Sequence, residues 1–249
     1  MSGHSKWATI KHKKGAADQK RAKVFAKLIR QVEVAAREGG GDPASNPTLR
    51  TMFSKARESS VPLDTIERAI KRGTGELEGV SYESIMYEGY APGGVAMLVD
   101  CLSDNRNRTG AEVRSIFSKN GGSMAEPGAV GWQFERKGVI IVTSDISEDD
   151  LMSIALDAGA EDLNREGDTW QVTCAPTDLT QVKEALTAAN VGFESAETTM
   201  LAQNTVPVES EGTAKSVLRL LDALEDHDDV QNVYANFDIP DSVLELVDA

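Results

Sequence analysis

The chain has 249 residues, a length that favours one to three compact domains, and its 40% hydrophobic content is typical of globular rather than disordered or fibrous proteins. Its formal net charge is −14, a value that alone argues against a nucleic-acid partner. The opening residues are polar and basic and no apolar run reaches the length of a membrane span, so we expect a cytoplasmic protein without a secretory signal or membrane anchor.

The distribution of charge is more informative than its sum. Residues 1–75 contain 16 basic and 7 acidic residues, a net charge of +9, whereas residues 76–249 contain 10 basic and 33 acidic residues, a net charge of −23. The local field, not the net charge, determines where a polyanion binds. A nucleic-acid partner for the amino-terminal segment is therefore consistent with an acidic protein.

The basic segment is predicted to form three amphipathic helices. Residues 18–38 place apolar side chains on one face. The opposite face carries the basic residues Lys20, Lys23, Lys27 and Arg30. A second helix begins after Asn46 as its N-cap, and a third follows Pro62 and ends at Gly73. Because helices of this length are marginal alone, we expect their apolar stripes to meet in a bundle.

Beyond the bundle the apolar period changes to that of strands. Two strands, 82–90 and 95–102, are predicted to form a hairpin around a Pro-Gly-Gly turn. A helix over 110–119 follows, with Thr109 as its N-cap, and another strand covers 130–134. These elements leave apolar faces uncovered, so they need a further layer from elsewhere in the chain.

Residues 138–206 have the order strand, helix, strand, strand, helix, strand, which is typical of the ferredoxin-like fold and closes on itself. The fragments before and after this unit are predicted to complete one another. The fold class is therefore multidomain, with an α-helical bundle and two α+β units. The predicted domains are a basic three-helix bundle, an α+β middle domain and a ferredoxin-like domain inserted in it, over residues 1–75, 80–136 with 207–249, and 137–206.

Two clusters are candidates for nucleic-acid binding. The first consists of residues before the first helix together with the basic face of that helix: Lys6, Trp7, Lys11, His12, Lys13, Lys14, Lys20, Lys23, Lys27 and Arg30. Its lysines can neutralise phosphates, and its planar side chains can stack on bases; the alternative is a solvated basic tail with Trp7 packed on the bundle. The second, near a predicted helix N-terminus, comprises Asn105, Arg106, Asn107, Arg108 and Arg114. It is either an anion site or a turn whose arginines pair with nearby acids.

Signatures of chemistry are weak. The sequence contains no Walker motif, its three histidines lack metal-ligand spacing, and no nucleophile has a recognisable context. We therefore predict a protein that is not an enzyme and uses no cofactor and no metal. Cys101 and Cys174 are interpreted as reduced core residues, and the acidic cluster over 225–229 as a solvated surface turn.

Several motifs resemble the YebC/PmpR family. They are Gly3-His4-Ser5-Lys6-Trp7, Ile10-Lys11-His12-Lys13, Tyr87-Glu88-Gly89-Tyr90-Ala91-Pro92-Gly93-Gly94, and Asp104-Asn105-Arg106-Asn107-Arg108-Thr109. The resemblance covers essentially the whole chain. It implies three domains and a DNA-binding transcriptional regulator of the cytoplasm, or a translation factor associated with the ribosome.

Three functions remain open at this point. A DNA-binding regulator would read a duplex, but the sequence supports backbone contacts better than base contacts. A factor that binds the RNA of the ribosome fits the basic segment before residue 18 equally well. A protein-interaction scaffold would use the acidic two-thirds of the chain. In each case we expect a monomer or weak oligomer.

Overall fold

The structure is a computed structural model that describes residues 17–143 and 145–248, with side chains from residue 22 onward except at 166, 241 and 248. The amino-terminal part is a bundle of three helices, α1 (Ala17–Gly39), α2 (Pro47–Glu58) and α3 (Leu63–Thr74). Their buried faces meet around Val32, Leu49 and Ile66. The predicted bundle is confirmed.

The end of α1 and the start of α2 are joined by Asn46, which is buried. Its Oδ1 accepts the Leu49 amide (3.0 Å), as expected for an N-cap, and its Nδ2 donates to the Ala35 and Gly40 carbonyls (both 2.8 Å). The single side chain therefore fixes the angle between the two helices as well as capping one of them.

Gly73 has a different role from the predicted one. It lies inside α3, and the helix ends instead before Gly75, which adopts φ 82° in the left-handed region. A Cβ at position 73 would lie 2.4 Å from the Glu33 carbonyl oxygen of α1. The missing side chain thus permits close contact between α3 and α1.

The middle domain is built on a four-stranded sheet and three helices. The strands are β1 (Glu83–Tyr90), β2 (Ala96–Ser103), β3 (Ser123–Ala125) and β9 (Val230–Ala235), and they lie in the order β3-β1-β2-β9. The helices are α4 (Arg106–Lys119), α7 (Glu211–Glu225) and α8 (Asp241–Asp248). The apolar sides of the helices pack on one face of the sheet, around Val99, Phe117 and Leu221. A short parallel pair, β8 (Val206–Pro207) with β10 (Phe237–Asp238), closes one end.

Two of the predicted elements of this domain differ from the observed ones. The fourth helix begins at Arg106, with Asn105 as its N-cap, rather than after Thr109. Residues 130–134 do not form a strand: a single turn of 3₁₀ helix covers Gly131–Gln133, and the next strand begins at Phe134. The loop before that strand is held by the Glu88 carboxylate, which accepts three backbone amides at 2.6–2.8 Å.

The inserted unit has the predicted ferredoxin-like topology. It consists of β4 (Phe134–Val142), α5 (Glu148–Asp157), β5 (Ala160–Glu166), β6 (Thr169–Cys174), α6 (Leu179–Ala188) and β7 (Phe193–Ala202). The strand order is β5-β6-β4-β7, with every neighbouring pair antiparallel. Both helices cover one face around Ile140, Leu151 and Leu186.

The two α+β units are connected through continuous strands. β4 begins at Phe134, which packs with Leu98 and Tyr234 on the second face of the middle sheet, and continues into the inserted unit. The predicted boundary between residues 136 and 137 therefore falls inside a strand, and the exact domain ranges stay a prediction. Among the described residues, no helix combines the length and apolar character needed to cross a membrane.

Candidate nucleic-acid interface

Only part of the first predicted cluster can be placed. Lys6, Trp7, Lys11, His12, Lys13 and Lys14 lie outside the described residues, and Lys20 lies in α1 but its side chain is outside the description. The remaining members, Lys23, Lys27 and Arg30, follow one another along a single side of α1 because they are four and three residues apart. Their surroundings therefore decide what this face of α1 contacts.

All three cations contact the segment Glu225–Asp229, which begins at the last residue of α7 and is called the acidic turn below. Lys23 Nζ donates to the Asp226 carbonyl (3.0 Å) and pairs with its Oδ1 (3.1 Å). Lys27 Nζ donates to the Glu225 carbonyl at 2.7 Å. Arg30 Nη1 donates to the Asp228 carbonyl (2.9 Å) and to Asp229 Oδ1 (2.8 Å). The basic face of α1 is therefore docked on the acidic turn.

Helix physics explains why cations gather at this point. The last carbonyls of α7 have no amide partner within the helix, and the negative end of the helix dipole lies there. Lysine and arginine side chains can donate hydrogen bonds to these carbonyls, and their positive charge is favourable at the negative end of the dipole. The interpretation of 225–229 as a solvated turn is therefore incomplete: Asp226 and Asp228 are exposed, but the turn also binds cations of α1, and Asp229 is buried. Acidic residues at a helix C-terminus conflict with the dipole, and that conflict is the sequence signal that could have indicated cationic partners.

The second predicted cluster meets the first at Asp229. Arg108 Nη2 pairs with Asp229 Oδ2 and with Asp104 Oδ1, both at 2.8 Å, while Thr109 Oγ1 donates to Asp229 Oδ2 at 2.7 Å. Asn105 serves as the N-cap of α4, accepting the Arg108 amide at 3.1 Å. Arg106, Asn107 and Arg114 are exposed on α4. Anion binding by this cluster stays a prediction.

Asp229 is the centre of the arrangement. Only 5% of its side chain is exposed, and this desolvation raises its pKa. Hydrogen bonds from Thr109, Arg108 and Arg30 outweigh the desolvation and lower the pKa to about 2. The carboxylate is therefore ionised at neutral pH and joins the bundle to the middle domain.

His227 completes the acidic turn. Its Nδ1 accepts the Asp229 amide at 3.1 Å, so its Nε2 carries the proton and donates to Glu112 Oε2 at 2.8 Å. Glu112, His227 and Asp229 bring ligand-type atoms within 4.8 Å of one another. Each of these side chains also has a protein hydrogen-bond partner.

An open cleft of 680 Å³ lies at this junction. Its basic lining residues are Lys23, Arg30 and Arg108. Its acidic lining residues are Asp104, Glu112, Asp226, Asp228 and Asp229. Tyr82 adds an aromatic wall, with the Arg30 guanidinium 5.5 Å from its ring centroid. Carboxylates outnumber cations, so in this conformation the cleft repels a phosphate group.

Comparison with known proteins places this architecture in a family. The model for the "TACO1/YebC protein N-terminal domain" matches residues 5–76, and that for the "TACO1/YebC second and third domain" matches residues 82–237. The chain belongs to the TACO1/YebC family. The resemblance to the YebC/PmpR motifs is thereby confirmed.

Similar proteins cover the chain from end to end. Relatives from Halothermothrix orenii (55% identical, 99% of each chain) and Syntrophobacter fumaroxidans (56% identical, 99% of this chain and 100% of the other) are both named probable transcriptional regulatory proteins. A crystal structure of a conserved hypothetical protein from Aquifex aeolicus is 47% identical, with a TM-score of 0.80 over 90% of this chain and 93% of that one. These names support a family of regulators.

Proposed function

We propose that this chain is a non-enzymatic regulator of gene expression that binds nucleic acid through its basic amino-terminal segment. The observation that carries the proposal is the concentration of positive charge before residue 38, where ten basic residues face only Asp18 and Glu33. Glu33 does not weaken that surface, because its carboxylate is buried between Arg37 (3.3 Å) and Arg72 (2.8 Å). The relatives are named probable transcriptional regulatory proteins, which supports a role in gene regulation, and duplex DNA is the ligand that we propose for that role.

The alternative partner is the RNA of the ribosome. The described basic row of α1 is docked on the acidic turn, so this helix does not present a free row of side chains to a DNA groove. Phosphate contacts from the arm before Ala17 suit folded RNA as well as duplex DNA. A translation factor would then use the same basic segment.

The test is nucleic-acid binding by the full-length protein, measured by fluorescence anisotropy with a mixed-sequence 30-base-pair duplex and a single-stranded RNA at several salt concentrations. The variant Lys11→Gln/Lys13→Gln/Lys14→Gln should bind at least tenfold more weakly. If all three lysines contact duplex phosphates, the slope of log K against log salt should become shallower by about 2.7. Binding equal to that of the unmodified protein would overturn the proposal.

A matched control removes three positive charges from the acidic part of the chain. Lys183, Lys215 and Arg219 are exposed on α6 and α7, away from the cleft. Their replacement by Gln should change affinity less than twofold. Co-sedimentation with ribosomes at moderate salt, and release at high salt, would favour the RNA alternative over the duplex.

The absence of catalysis has its own test. Purified protein should show no steady hydrolysis of ATP or GTP. Turnover that a single substitution in this chain abolishes would show that the protein is an enzyme.

A further inference from the structure

We propose that the acidic turn, Glu225–Asp229, competes with nucleic-acid phosphates for the basic face of α1, so that the protein binds nucleic acid through this face only when the bundle separates from α7. The inference rests on the proposed function and describes its regulation. It follows from the contacts of Lys23, Lys27 and Arg30, each of which donates to the turn at 2.7–3.1 Å.

The two partners exclude each other for geometric and electrostatic reasons. A phosphate needs the same N–H donors that now point at the carbonyls and carboxylates of the turn. It would also have to approach Asp226 and Asp228, which line the cleft beside the basic face of α1. Close contacts between a phosphate and these carboxylates are unfavourable because both are negatively charged. The phosphate and the turn therefore cannot occupy the basic face of α1 together.

Part of the docking is weak. Lys23 and Asp226 are 40% and 68% exposed, and exposed ion pairs contribute little individually and weaken with salt. The Arg30–Asp229 pair is less exposed, at 23% and 5%, so its loss should favour opening most. The bundle has its own core, and residues 75–82, which connect α3 to β1, are exposed except for the half-buried Tyr82. The bundle can therefore separate from α7 without losing its own packing.

Competition of this kind lowers the apparent affinity by the fraction of molecules in the open state. Weakening the contact between the acidic turn and α1 should raise the affinity for nucleic acid. A general loss of negative charge would also raise it, but to a smaller extent. A control must therefore remove the same charge at a distance. Asp149 and Asp157 on α5 are exposed and do not line the cleft, which makes them suitable for this purpose.

The first experiment compares full-length Asp226→Asn/Asp229→Asn with Asp149→Asn/Asp157→Asn in the duplex and RNA binding assay. We expect the first variant to bind about fivefold more tightly than the unmodified protein and the second to change less than twofold. Equal affinities for the two variants, with circular dichroism unchanged, would overturn the inference.

The second experiment leaves every charge in place. Gln31 Nε2 donates to Gln231 Oε1 at 3.2 Å across the same junction, so Gln31→Cys/Gln231→Cys can be joined by a cleavable bismaleimide. The native thiols, Cys101 and Cys174, are fully buried and should not react. The joined protein should bind at least fivefold more weakly and recover when the linker is reduced.

The outcomes separate the two proposals. If the unmodified protein binds neither ligand, the proposed function fails, and the competition fails with it. If the unmodified protein binds nucleic acid, and the cross-linked protein binds as tightly before its linker is reduced as afterwards, only the competition is wrong.

Discussion

The contribution of Asp229 to stability should depend on pH in a way that the structure determines. Its pKa lies at about 2 in the folded protein, below its ordinary value of 3.8. A depressed carboxylate pKa stabilises the folded state above the unfolded pKa, and this contribution is lost as the pH falls towards the folded pKa. From these two values the contribution is about 2 kcal/mol at neutral pH and about 1 kcal/mol at pH 3.

The substitution that isolates this contribution is Asp229→Asn, which keeps the shape and removes the charge shared by Arg30, Arg108 and Thr109. The free energy of unfolding, measured with urea at pH 6.5 and pH 3, should be about 2 kcal/mol lower than that of the unmodified protein at the higher pH and about 1 kcal/mol lower at the other. Asp226→Asn, at a side chain that is 68% exposed, is the control and should cost less than about 0.5 kcal/mol at both. A pH-independent cost for Asp229→Asn would refute the reasoning.

Other substitutions test separate parts of the structure. Gly73→Ala should destabilise the bundle by roughly 2 kcal/mol because the new Cβ meets a carbonyl of α1, whereas Gly212→Ala, which has open space in α7, should stabilise by up to about 1 kcal/mol in the same denaturation assay. Glu88→Gln should cost about 1–2 kcal/mol, because a neutral amide oxygen replaces the carboxylate that holds three loop amides; an unchanged unfolding midpoint would contradict this. If the basic face of α1 binds the duplex after the bundle separates from α7, Lys23→Gln/Lys27→Gln should weaken duplex binding and make the salt slope shallower by up to about 1.8, and an unchanged slope would show that neither lysine contacts phosphate.

Local signals predicted most of the elements. Asn46 identified the start of α2, and the Pro92-Gly93-Gly94 turn identified the hairpin, because capping and positive φ are determined by residues close in sequence. The start of α4 shows where such signals become ambiguous. Asn105 and Thr109 are both good N-caps, but the Thr109 hydroxyl is buried against Asp229, 120 residues away. In the structure Asn105 caps the helix, and the Thr109 hydroxyl is used in the tertiary contact instead.

The extent of β4 also depends on a contact between residues far apart in the sequence. Glu135, Arg136 and Lys137 are polar and interrupt the apolar pattern, so the sequence indicated two strands separated by a loop. In the structure this stretch pairs with β7 without a break, from Phe134 opposite Ala202 onward. The hydrogen bonds of a partner strand about 65 residues away keep these polar residues extended, and no local pattern contains that information.

The candidate interface shows most clearly what charge counting misses. The basic side of α1 followed from the spacing of its lysines, but the surface opposite it depends on how the bundle packs on α7, and Lys23 contacts Asp226 across 203 positions. The carboxylates that make the chain acidic are thus partly the same groups that hold its cations. The sequence suggests the basic face of α1 and the acidic turn as independent surfaces, but in the structure they contact each other. It follows that an isolated bundle would expose cations that the full-length protein covers, and its affinity for nucleic acid would exceed that of the intact chain.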